Sequence, residues 1–62
     1  MEFEVVGILN TGQNYIYTLK AIDGGRFVVA KFKSKMKRWK FGEKVLMTDE
    51  QLDKEAYQIE KI

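Results

Sequence analysis

A chain of 62 residues has room for one domain built around one small core. It contains no cysteine and no histidine, which removes disulfides, thiolate zinc sites, the usual imidazole ligand and the commonest general base. The net charge of +2 hides an asymmetry: Arg26 to Lys44 carries eight of the eleven cations against one acid, Glu43, a local +7 that leaves −5 for the rest.

An apolar share of 45% suits a folded domain rather than a disordered one. No apolar run approaches the ~20 residues that span a bilayer, and the acidic start Met1-Glu2-Phe3-Glu4 lacks the features of a signal peptide. The expectation is a cytoplasmic protein with no membrane role. Proline, repeats and low-complexity tracts are all absent, so residues 1–62 read as a single domain.

Phe3 to Leu9 begins with strand alternation and then turns apolar on both sides, as a strand entering a barrel does. Asn10 to Asn14 is a turn around Gly12. Tyr15 to Ala21 reads as a second strand, with Tyr15, Tyr17, Leu19 and Ala21 on one face and Ile16, Thr18, Lys20 and Ile22 on the other. Asp23-Gly24-Gly25 is a hairpin turn. Arg26 to Phe32 follows as a third strand, with Val28, Ala30 and Phe32 inward and Phe27, Val29, Lys31 and Lys33 outward.

Ser34 to Phe41 has no period and reads as an exposed basic loop. Gly42-Glu43 then turns into a fourth strand, Lys44 to Thr48. Thr48-Asp49-Glu50-Gln51 fits a capping box, opening one or two helical turns through about Ala56. Tyr57 to Ile62 reads as a fifth strand. Five short strands in meander order predict a small all-β barrel, whose closure would remove sticky edges.

Lysines that neutralise phosphates, interleaved with rings that stack on bases, point to nucleic acid. In this reading Lys31, Lys33, Lys35, Lys37, Arg38 and Lys40 contact phosphates, Arg26 and Lys44 extend the cationic zone, and Phe27, Trp39 or Phe41 stacks. Trp39 could instead be a lid over one barrel end, packed on Phe41 or Met36, and Met36 reads as an apolar anchor pinning the loop. Phe27 and Val29 could equally form an outer cluster under lysine stems. Tyr15 and Tyr17 are expected to fill the barrel. The carboxylates Glu2, Glu4, Asp49, Glu50 and Asp53 are explained by strand alternation and capping. They show no calcium-loop spacing, so no enzyme, metal or cofactor is expected.

From Gly24 onward the chain resembles the bacterial translation initiation factor one family. The likeness lies in Asp23-Gly24-Gly25-Arg26-Phe27-Val28-Val29-Ala30-Lys31-Phe32-Lys33, the cluster Lys35-Met36-Lys37-Arg38, and the step Phe41-Gly42-Glu43-Lys44-Val45. The resemblance implies a five-stranded OB-fold barrel that binds RNA on the small ribosomal subunit, beside other initiation factors. Three departures stand out. The stretch from Met36 to Gly42 is shorter than in that family, the turn at Asp23 is longer, and the end Tyr57 to Ile62 is nearly neutral where the family is basic.

The combined expectation is an all-β, five-stranded OB-fold barrel with a short helical turn after the fourth strand. It would be monomeric, non-enzymatic and RNA-binding. Two alternatives use other partners: a src-homology-like five-stranded barrel that binds proteins, and a DNA-binding or cold-shock-like chaperone.

Overall fold

The computed structural model describes residues 1–62. It is mostly β, with the order β1 (Glu2–Asn10), β2 (Tyr15–Asp23), β3 (Arg26–Ser34), β4 (Lys44–Leu46), α1 (Asp49–Glu55) and β5 (Gln58–Lys61). All five strands join one antiparallel sheet in the spatial order β4-β1-β2-β3-β5. No helix is long and apolar enough to cross a membrane.

The β2–β3 hairpin is the most regular part. Its register runs unbroken from Tyr15↔Ser34 to Asp23↔Arg26. Gly24 (φ 59°) and Gly25 (φ 82°) supply the two positive φ angles that a tight two-residue turn needs. β1 pairs with β2 through a register shift between Val5 and Gly7, a bulge that interrupts the inward-outward alternation beyond Val5. Accordingly Ile8 and Leu9 remain exposed instead of entering a core.

The expected meander is overturned. β4 lies beside β1 and β5 beside β3, so β1–β4 form a Greek key, with the fourth strand returning to flank the first. The sheet is also open, because nothing pairs β4 with β5. Edges are kept harmless by brevity rather than by closure: β4 has three residues and β5 four. The fourth and fifth strands are correspondingly shorter than the sequence pattern suggests.

The core lies on the inner face. Phe3 and Val5 from β1, Tyr17, Leu19 and Ala21 from β2, and Val28, Ala30 and Phe32 from β3 are buried with Met47 and Leu52. Leu52 is the one buried residue of α1, so this short helix serves as a cover over the open sheet. Its start is the expected capping box. Gln51 N–H donates to Thr48 Oγ1 at 3.1 Å, and Thr48 N–H donates to Gln51 Oε1 at 3.0 Å.

Candidate nucleic-acid interface

Two elements position the cations: the outward face of β3 and the segment from Lys35 to Gly42. Alternation on β3 turns Val28, Ala30 and Phe32 into the core and leaves Phe27, Val29, Lys31 and Lys33 on the outer face. There Lys31 stands across from Thr18 on one side and Gln58 on the other, and Lys33 stands across from Ile16. The Lys33 ammonium lies 5.4 Å from the centroid of the Tyr57 ring, which is 52% exposed. Tyr57 is seated by its backbone N–H, which donates to the Lys31 carbonyl at 2.9 Å.

The basic loop is fastened at several points. Arg38 N–H donates to the Tyr17 hydroxyl at 2.8 Å. The Trp39 ring stands edge-on to Tyr17 and Phe32, with centroids 5.2 and 5.4 Å away. Farther on, Lys40 N–H donates to Glu43 Oε1 at 3.0 Å, and Gly42 N–H to the Val5 carbonyl at 2.8 Å. The first turn is closed by Ser34, whose hydroxyl donates to the Met36 carbonyl at 2.7 Å. The lysines of this loop therefore project from a held backbone.

Of the eleven residues singled out from the sequence, the nine other than Trp39 and Phe41 fall into three groups. Lys31, Lys33, Lys35, Lys37 and Lys40 share the β3 outer face and the loop, and none is engaged in an ion pair. Arg38 and Lys44 already have acidic partners. Arg38 is paired with Glu55 of α1 while its guanidinium sits 4.3 Å from the Trp39 centroid, and Lys44 meets Glu4 across the β1–β4 ladder at 3.0 Å. Arg26 and Phe27 lie at the hairpin end of β3, seven or eight residues and ~25 Å from Ser34. One continuous patch of all eleven is not formed.

The rings are also sorted. Trp39 is half-buried on Tyr17 and Phe32, so it does pack as a lid, but on the sheet's inner face rather than on Phe41 or Met36. Met36 is 75% exposed and does not anchor the loop, whose contact with the core is made by Trp39. Phe41 is 72% exposed. Phe27 carries the Lys20 ammonium 4.0 Å above its ring.

Tyr57 belongs to this surface and sequence reasoning did not select it; Lys20, also not selected, lies with Phe27 at the hairpin end. Strand alternation already placed Lys20 outward. Tyr57 reaches Lys33 through the β3–β5 pairing, which no local pattern announces. No cluster of three or more carboxylates is arranged to hold a metal ion. No family model, curated protein or solved structure matches the chain.

Proposed function

We propose that the protein is a non-enzymatic, OB-type module that binds single-stranded RNA through the outer face of β3 and the loop that follows. The observation that carries this reading is the set of five unpaired lysines, Lys31, Lys33, Lys35, Lys37 and Lys40, beside the exposed ring of Tyr57. Cations without acidic partners are free to displace counterions from phosphates, and a half-exposed ring offers a base a stacking surface. Phe41 supplies a second exposed ring at the other end of the loop.

The Greek-key order of β1 to β4 is what the sheet shares with the OB architecture, itself a partly open five-stranded barrel. The likeness of Asp23 to Val45 to the initiation factor one family supports RNA on the small ribosomal subunit as the ligand. The near-neutral carboxyl end and the shortened loop fit a diverged relative with fewer phosphate contacts than that family.

Binding of a labelled single-stranded RNA, followed by anisotropy across a salt series, tests the reading. Neutralisation of about four to five phosphates gives a slope of log K against log salt of roughly −3 to −3.5. A matched DNA strand reports whether the 2′-hydroxyl is read. Absence of binding at low salt, or binding indifferent to salt, overturns the proposal.

A further inference from the structure

The hairpin end of the molecule, remote from the basic loop, holds an open concavity of about 800 Å³ on the sheet. Its apolar wall includes Ile22, Phe27 and Val6, and its charged lining includes Glu2, Asp23 and Asp49. Ile22 is 68% and Phe27 41% exposed, so this is apolar surface left in water. None of the three carboxylates takes part in an ion pair. Two lysines also line the hollow: Lys44 is paired with Glu4, while Lys20 rests over the Phe27 ring and, keeping its charge, offsets one of the three free carboxylates. The amino group of Met1 is turned to the Met47 carbonyl.

The opposite end of the same chain carries a shape of matching chemistry. Ser34 closes a tight turn by bonding both the carbonyl and the N–H of Met36, at 2.7 and 3.2 Å. That turn projects Met36 into solvent between Lys35 and Lys37, both unpaired. An apolar tip between two cations complements an apolar hollow edged by carboxylates, and a thioether against a phenyl ring is a favourable contact. The length of β3, ~25 Å from Phe27 to Ser34, keeps the turn from reaching the hollow of its own molecule.

We propose that the Lys35-Met36-Lys37 turn of one molecule docks into the Phe27 concavity of a second copy, so that the protein associates head to tail. Such a contact uses different surfaces on the two partners and leaves one of each free, so it grows into open chains unless the rotation closes a ring. It departs from the monomer expected from the sequence. It requires no nucleic acid, and stands or falls independently of the RNA reading.

Sedimentation of the purified full chain tests it. At ~20 mM salt the weight-average mass should rise above 7.3 kDa as protein approaches the order of 1 mM, and fall back at ~0.5 M salt, where charges are screened. K35E/K37E loses the turn and keeps the hollow; D23K/D49K does the reverse, and I22K blocks the hollow without touching the first turn of α1. Each variant alone should stay monomeric. An equimolar mixture of K35E/K37E and I22K, whose hollow keeps its three carboxylates, should stop at the dimer, because each molecule then has one working surface. Association of either variant alone, a mixture that remains monomeric, or a wild-type chain monomeric throughout the range overturns the proposal. So does a monomeric wild type whose hollow binds an unrelated Lys-Met-Lys peptide, since the occupant would then be another protein.

Discussion

The hydroxyl of Tyr17, whose residue is 1% exposed, accepts the backbone N–H of Arg38 at 2.8 Å. A side chain fixed in the core thus reaches out to hold an exposed loop, and the Trp39 ring next to it packs on the same tyrosine. Loop geometry is in this way tied to the packing of β2 rather than left to the loop's own polar sequence.

Tyr17→Phe keeps the ring and removes only the acceptor. The expected cost is about 1 kcal/mol, since the orphaned Arg38 N–H sits in a partly exposed site that water can enter. Amide exchange separates this from general destabilisation. The Arg38 amide should lose protection selectively, while amides of the β2–β3 ladder keep theirs relative to the global stability.

Thr48→Ala breaks the capping box at the start of α1, leaving the Gln51 N–H without its acceptor. A loss of about 1 kcal/mol is expected in urea unfolding. The effect reaches the core because Leu52, buried on the same short helix, covers the open sheet. Leu52→Ala should cost more, about 2–4 kcal/mol, a large share of the stability available to so small a domain.

These contrasts also show what a linear reading can and cannot see. The β2–β3 hairpin was legible because its two strands are adjacent in sequence, its turn has two glycines, and burial follows a period of two within each strand, Tyr17 to Ala21 and Val28 to Phe32. The α1 start was legible because a capping box is a local hydrogen-bond pattern. The partners of β4 and β5 were not: strands of three and four residues carry too few side chains to say which edge they join. The same limit hid Tyr57 from the candidate site, and it misassigned Met36. Both depend on which residue meets a distant part of the sheet, and it is Trp39, not Met36, that packs on Tyr17 and Phe32.

Glu55→Gln removes the partner of Arg38 and tests whether α1 withholds a cation from the RNA surface. An exposed ion pair of this kind stabilises the fold by only about 0–1 kcal/mol, so the melting curve should hardly move. If the freed guanidinium joins the phosphate contacts, RNA affinity should rise severalfold at low salt. The slope of log K against log salt should also steepen by ~0.7, the contribution of one phosphate of a single strand. Unchanged affinity and slope would mean that Arg38 remains on the Trp39 ring without its carboxylate and acts only as a loop fastener.

Tyr57 and Trp39 should give opposite signatures when each is replaced by alanine. Trp39 packs against Tyr17 and Phe32 over the core, so Trp39→Ala should cost about 3 kcal/mol of stability and weaken RNA binding only as the loop loosens. Tyr57 is held by its backbone and keeps its ring half in solvent beneath Lys33, so Tyr57→Ala should cost under about 1 kcal/mol of stability. RNA affinity should nevertheless fall by about 1–3 kcal/mol, the typical contribution of one stacked base. The salt slope should stay near its wild-type value, because stacking releases no counterions. Tyr57→Phe, which retains the ring face, should bind almost as the wild type does. If Tyr57→Ala instead flattened the slope and left affinity at high salt nearly intact, the ring would be acting as a prop for Lys33, and the stacking assignment would move to Phe41, the other exposed ring on this loop.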